Sequence, residues 1–408
     1  MPSTTVNRSK AAVYGAFAAN GVMYAALVSR VPALGAELDL STAELGLLLL
    51  WLSAGAVSGL PAAGFLVQRI GGSRGITAGM SLAATGLLLL AVGLETTSWP
   101  VTAFSLFLVG LGMGLWEVSM NVVGARTAHL IDSESLLPRL HATLSLGTVV
   151  GALLGALLAS MSVSLPSQNL GITGLLVLMA FLLRRVTHSA DARGTGDVTR
   201  TPGGVLSASW RERRTLLIGI CVLGFAFAEG TANEWIAYVL VDGYGAAEHT
   251  GALAFAAFVA AMTAGRLTGG ALVARVGRTN VLRVSVGLAF CGVIVVAFSS
   301  AVAWALVGAL LWGLGAAMGF PVGIAAAADD PARAAARVSV ISSLGYAAFL
   351  GGPPLLGLLG GLYGIQQAIL IVCAALLSAF LTAGATRRIT ATAAGRNPGA
   401  EKNPGGSR

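Results

Sequence analysis

The sequence predicts an all-α integral membrane protein in which twelve transmembrane helices form two pseudo-symmetric six-helix bundles. Three observations lead there. The 408 residues are 56% hydrophobic and only 10% charged, where a soluble domain carries about 25% charged residues. Charge-free windows long enough to cross the hydrocarbon (about 20 residues) recur along the whole chain. The connections between them alternate sharply in charge, so the net charge of +8 reads as a topology signal and not as affinity for nucleic acid.

Taken in order, the expected helices are 11–31, 44–67, 75–94, 101–125, 140–162, 168–186, 214–241, 250–273, 281–299, 302–326, 338–359 and 364–386. The first apolar run holds Asn20 and Tyr24 and ends in Arg30-Val31-Pro32 without a small-residue cleavage pattern. It is therefore a retained span and not a signal peptide. Leu45–Gln68 runs uncharged between Glu44 and Arg69, and Gly75–Leu94 between Arg74 and Glu95. Val284–Ala328 and Val338–Thr386 each hold two spans, broken at Ser299-Ser300 and around Gly360–Gly364.

One set of connections carries Arg8, Lys10, Arg69, Arg74, Arg126, Arg139, Arg184, Arg185, Arg193, Arg200, Arg211, Arg213, Arg214, Arg275, Arg278, Arg283, Arg333 and Arg337. The other carries Glu37, Asp39, Glu44, Glu95, Asp242 and Glu248, with Arg30 at its edge. The positive-inside rule puts both termini and the central loop on the cytoplasmic side of the cell membrane. Residues 1–186 then form one bundle and 214–386 the other. Segment 187–213, rich in Gly, Thr, Ser and Arg, reads as a flexible cytoplasmic linker, with Trp210 at headgroup level. Residues 387–408 read as a disordered tail.

The halves repeat one another. GAFAANG at Gly15–Gly21 matches GFAFAEG at Gly224–Gly230, and GFLVQRIGG at Gly64–Gly72 matches GALVARVGR at Gly270–Arg278. LVGLG at Leu108–Gly112 matches LWGLG at Leu311–Gly315, and RLHATLSLG at Arg139–Gly147 matches RVSVISSLG at Arg337–Gly345. A six-plus-six repeat implies a pseudo-twofold axis along the membrane normal and a mid-depth cavity between the halves. Cys221, Cys291 and Cys373 all lie in apolar runs and read as packed small hydrophobes. No metal-type Cys/His spacing occurs, so neither metal nor cofactor is expected.

At this level the chain resembles the major facilitator superfamily over all twelve helices. The G-x-L-x-x-R-x-G pattern after the second and eighth helices is similar to that superfamily's loop signature, with Gln68 and Ala274 at its usual acidic position. A narrower resemblance is to the fucose–proton symporter-like and rhizopine-locus membrane protein-like branch. It is carried by SRVP at Ser29–Pro32, EVSMN at Glu117–Asn121, HATLSLG at His141–Gly147, EGTANEW at Glu229–Trp235 and GYAAFLGGPP at Gly345–Pro354. In that symporter an acid followed four residues on by Asn is linked to proton coupling, and Glu117 with Asn121 matches it. Its second key acid, on the first helix, has no counterpart here.

The residues themselves nominate a site. A carboxylate at bilayer depth is costly unless partnered or protonated, and intramembrane acids are functional by default. Glu117 is the first candidate for proton coupling and Glu229 the second. Asn20, Tyr24, Asn121, Asn233, Glu234 and Trp235 are candidate substrate-binding residues, Glu229 and Asn233 sharing a face by their four-residue spacing. Arg30, Arg266, His141, Arg69 and Arg275 are candidate gating groups, with Arg30 expected to pair with Glu234 when the outer side closes. Arg126, Arg139 and Arg337 are expected to gate or anchor the cytoplasmic ends. Gly147, Gly151 and Gly155 should give a smooth face for close packing. The Gly351–Pro354 stretch and Phe320-Pro321 should bend the eleventh and tenth helices.

The reading is a proton-coupled secondary transporter of a small polar organic solute, sugar- or polyol-like by resemblance. It is expected to be a monomer in the lipid bilayer, with protons and a small molecule as partners. A proton-antiport exporter of a drug or secondary metabolite is the first alternative, and a non-transporting membrane sensor the second. No nucleophile–base pair accompanies Glu117, so an enzyme is not expected.

Overall fold

The computed structural model describes residues 3–131, 133, 135–187, 203–330 and 333–388. Among them, twelve helices are long and apolar enough to cross a membrane. They are α1 (Ser3–Val28), α2 (Thr42–Ile70), α3 (Gly72–Glu95), α4 (Trp99–Leu130), α5 (Leu136–Ser160) and α6 (Leu165–Thr187). The second half holds α7 (Arg213–Gly243), α8 (Glu248–Val276), α9 (Arg278–Phe298), α10 (Val302–Ala327), α11 (Ala334–Tyr363) and α12 (Ile365–Thr386). Each overlaps an expected span, with ends displaced by a few residues.

The two halves pair their helices alike. In the first, α1 packs on α5, α2 on α4, α3 on α4 and α3 on α6; in the second, α7 packs on α11, α8 on α10, α9 on α10 and α9 on α12. The halves meet along α2 with α11 and along α5 with α8, a symmetric pair of contacts. The repeat extends to the backbone. Gly71, between α2 and α3, has φ 87° and ψ 158°; Gly277, between α8 and α9, has φ 83° and ψ 159°. A positive φ is cheap only for glycine, which explains why this residue stands at both copies of the turn.

Local chemistry sets several ends. Ser41 caps α2: its hydroxyl accepts from the Glu44 amide at 3.4 Å, and the Glu44 carboxylate accepts from the Ser41 amide at 2.9 Å. This reciprocal box satisfies two otherwise orphaned donors. The helix of α10 breaks at Ala317-Met318 and resumes at Gly319. Pro321 lies four residues beyond Ala317, where its ring excludes the carbonyl bond of a continuous helix. The expected bend in α11 does not become a break: Pro353 and Pro354 sit inside an unbroken helix from Ala334 to Tyr363. Gly147, Gly151 and Gly155 do pack α5 closely, lying against Ala18 and Val22 of α1 and Ser29 just beyond its end.

Most of the expected linker, including Arg193 and Arg200, lies outside the described residues, as does the tail beyond residue 388. The described end of the linker is not coil. Gly203–Ser209 is a short helix against α11, followed by an exposed Trp210.

The terminal face of the second half is stapled by ion pairs. Asp329, after α10, accepts from Arg278 at 2.7 Å and from Arg214 at 2.8 Å. Arg337 holds Glu212 through two bonds of 2.7 and 2.8 Å. Partial burial alone would raise the Asp329 carboxyl, but the bonds from Arg278 and Arg214 hold it below its ordinary range. Glu212 is likewise lowered, its burial outweighed by bonds from Arg337 and Thr215. Arg337 therefore anchors this end, as one reading of the sequence anticipated. A carboxyl depressed in the folded state contributes stability at neutral pH that is lost as pH falls through its folded value. Asp329→Asn should cost about 2 kcal/mol at pH 7, leaving two guanidinium groups without their acid. Thermal unfolding in detergent should show the gap to the unsubstituted protein narrowing below about pH 4, the ordinary range of an aspartate.

Candidate functional site

Glu117 sits 18 residues into α4, ~27 Å along the helix from the face opposite the termini. Its side chain is not covered by neighbouring residues, and across from it Tyr346 of α11 lies within range of its charge. It thus lines the cleft between the halves and not the lipid side. Among the described residues its carboxyl has no ion-pair or hydrogen-bond partner. Asn121 does not provide one: its amide donates to the Glu117 main-chain carbonyl at 2.9 Å. The shared face read from the sequence is present, but the amide braces the helix and leaves the acid free.

On α7 the acids are treated differently. Glu229 accepts from Arg266 of α8 at 2.8 Å, both partly buried. The pair cancels two charges at mid-depth, and the Arg266 Nε is buried without a partner. Tyr24 of α1 lies near Asn233 and within range of the charges of Glu234 and Glu229. Glu234 is 5% exposed and accepts from the Ser53 hydroxyl of α2 at 3.2 Å. Tyr24, a candidate substrate-binding residue, thus lies beside the α7 polar face.

These contacts belong to a seam that closes the cleft on the face opposite the termini. Further out, Thr42 of α2 and Tyr238 of α7 lie 3.3 Å apart. The glycines Gly46 and Gly357 bring α2 and α11 together so closely that a Cβ on Gly46 would lie 2.6 Å from the Pro353 carbonyl. The outermost contact corrects an expectation. Arg30 pairs not with Glu234 but with Glu248 at the start of α8. The reason is reach: Glu234 is already enclosed beside Ser53, whereas Glu248 begins the facing helix. Arg30, 2% exposed, also donates to Gln168 Oε1 at 3.0 Å and to the Val163 carbonyl at 2.9 Å. Gln168 in turn donates to the Ala26 carbonyl at 2.8 Å. One guanidinium thus ties α1 and α6 to the opposite half, and a buried charge is fully partnered.

The remaining candidates divide. Asn20 is buried with its Nδ2 unpartnered, four residues before Tyr24 on α1. His141 is exposed and meets Phe17 edge-on at 5.4 Å, with the Arg266 charge within range. Trp235 lies deeper than its neighbours, with its indole Nε1 buried and unpartnered. It is fully buried against Tyr238, since it follows Glu234 by a residue and points about 100° around the helix. Arg69 and Arg275 are exposed at the ends of α2 and α8. Arg69 lies 4.1 Å over the Phe65 ring of its own helix, and among the described residues neither arginine makes an ion pair. Ser53, Gln168, Glu248 and Tyr346 went unnominated. Only Glu248 carried a signal, as an acid beside a span; the others match ordinary span composition.

The whole arrangement is matched by known proteins. The model of the Major Facilitator Superfamily matches residues 13–339 and 218–407. An MFS-type transporter of Yersinia pestis is 30% identical over 91% of this chain and 94% of its own. The membrane protein MosC of Rhizobium meliloti is 27% identical, covering 88% of this chain and 85% of its own. Among solved structures, the nucleoside transporter NupG superposes with a TM-score of 0.78 at 14% identity, covering 94% of this chain and 99% of that one. The fucose:proton symporter FucP of E. coli superposes with a TM-score of 0.60 at 17% identity, covering 92% and 98%. At these identities the structural likenesses show the fold.

The seam makes a direct prediction. Arg30→Gln should loosen it, and alkylation of a single cysteine placed at Ser53 should speed up roughly tenfold, within the range of such coupling energies. The reversed pair Arg30→Glu with Glu248→Arg should restore part of the protection.

Proposed function

We propose that this chain, which belongs to the Major Facilitator Superfamily, couples proton movement to transport of a small polar organic solute across the cytoplasmic membrane. That it is a multi-pass membrane transporter of that superfamily follows from membership. Proton coupling and the solute class are our reading. The observation that supports it best is Glu117, a carboxyl lining the cleft with no partner among the described residues. Among the described residues the other acids at comparable depth are bonded: Glu229 to Arg266 and Glu234 to Ser53. An unpaired acid in a cleft inside a membrane protein is a site for a proton or a cation.

In this reading the halves rock around a central site, and Glu117 takes the proton from one side and releases it to the other. Asn20, with its free amide, and Asn121 line the solute path near it. The Glu229–Arg266 pair offers an acceptor and donors side by side, which suits hydroxyl groups, and is assigned to solute recognition, not proton carriage. Tyr24 and Asn233 close over the site. A sugar- or polyol-like solute fits this mix of amides, acids and one guanidinium, and is what the resemblance to fucose–proton symporters implies. The basic terminal face is assigned to the cytoplasm.

Two experiments in proteoliposomes test the reading, using an imposed proton gradient and a panel of labelled sugars, polyols and nucleosides. Glu117→Gln should reduce gradient-driven accumulation at least about tenfold while solute exchange without a gradient persists. Driven uptake that survives unchanged would remove Glu117 from proton coupling, and expulsion instead of accumulation would reverse the direction. Glu229→Gln frees Arg266 and should shift the solute KM several-fold while accumulation still follows the gradient. An unchanged KM takes the pair out of solute recognition.

A further inference from the structure

Glu234 is a second acid in the cleft region, and the roles proposed above for Glu117 and the Glu229–Arg266 pair leave it unassigned. It is 5% exposed and lies between the halves. Its one hydrogen bond comes from a neutral hydroxyl, Ser53 Oγ, on the opposite half. From α1, the Tyr24 phenol lies within range of its charge. On α7 itself, Glu229 is satisfied by Arg266. Further out, Tyr238 bonds Thr42 and Asp242, and Arg30 bonds Glu248, Gln168 and Val163. Among the described residues no base reaches Glu234. A carboxylate enclosed without a counter-charge is costly, and the seam is stable around it only when the carboxyl is neutral.

We propose that Glu234 is a proton-operated latch of the seam opposite the termini: protonated, it lets the seam close on Ser53, and deprotonated, it drives the seam apart. The proposal rests on the proton-coupled reading but assigns a different residue a different task. Glu117 exchanges protons in the cleft, whereas Glu234 reports whether that face is closed. The linkage has a definite sign. The closed seam holds the proton more tightly than the open one, so acid favours closure and rising pH favours opening. A transporter built this way closes behind a proton that enters from the acidic side.

The test needs neither solute nor gradient. Spin labels are placed at Thr96 and Ser300, exposed positions at the same face on opposite halves, with Cys221, Cys291 and Cys373 replaced. The label-to-label distance is measured in lipid nanodiscs from acid to alkaline pH. The unsubstituted acid should give a short distance at low pH and a growing long-distance population as pH rises. Glu234→Gln keeps the Ser53 bond and cannot charge, so its distance should stay short throughout. Glu234→Asp should keep a pH response even where packing suffers. A latch that is only a packing or hydrogen-bonding group predicts the reverse, with Asp the more disruptive and neither substitution altering the pH response. A response that survives in Glu234→Gln overturns the assignment. If it is lost instead in Glu117→Gln, the latch fails while the proton role of Glu117 stands. If the distance does not change with pH in any protein, the latch is also refuted, whatever the transport assays show.

Discussion

A charge inside a membrane span must be paired, hydrated or neutralised, and the architecture of this transporter is arranged around that constraint. Arg30 is buried and holds four acceptor atoms on Glu248, Gln168 and Val163. Arg266 sits against Glu229. Asp329 and Glu212, at the terminal face, are shared among Arg214, Arg278 and Arg337. With so many charges partnered, two acids inside the described spans stand out: Glu117, uncovered and unpaired, and Glu234, enclosed with a single hydroxyl. The functional proposal concerns those two.

The pairing also divides labour between the halves. Backbone and helix order are repeated closely, down to the matched glycine turns at Gly71 and Gly277. The chemistry is not repeated. The first half brings Glu117 on an unbroken α4, while its counterpart α10 brings Phe320-Pro321 and a break at Ala317-Met318. The second half brings the Glu229–Arg266 pair and the terminal staple around Asp329. That staple joins α7, α9 and the end of α10 at one face. This suits rocking about a seam whose closed form rests on Arg30, Thr42, Ser53 and Tyr24 in the first half, with close backbone contact at Gly46.

The fold was almost wholly legible in the sequence, because twelve apolar windows, alternating loop charge and an internal repeat are each long-range signals. The site was legible in part. Glu117, Glu229, Arg266, Asn233 and Tyr24 stood out because polar groups are rare at that depth. Their pairing was not legible. Arg30 was expected to meet Glu234, and the linear sequence offers no measure of how far α8 reaches over the seam. Trp235, named as a candidate with Glu234, packs edge-on against Tyr238 about 100° around α7 from that acid, a neighbour the sequence does not reveal. Ser53 and Tyr346 gave no signal, since a hydroxyl in a span usually bonds its own helix; only packing of the two halves brings each to an acid.

The measurement closest to the central claim is infrared difference spectroscopy of the lipid-embedded protein across pH, following the protonated-carboxyl stretch. If Glu117 is the exchanging acid, a titrating band is lost in Glu117→Gln and retained in Glu229→Gln, whose acid is held by Arg266. A set of titrating carboxyl bands that is unchanged by loss of Glu117 would contradict its role as the proton site.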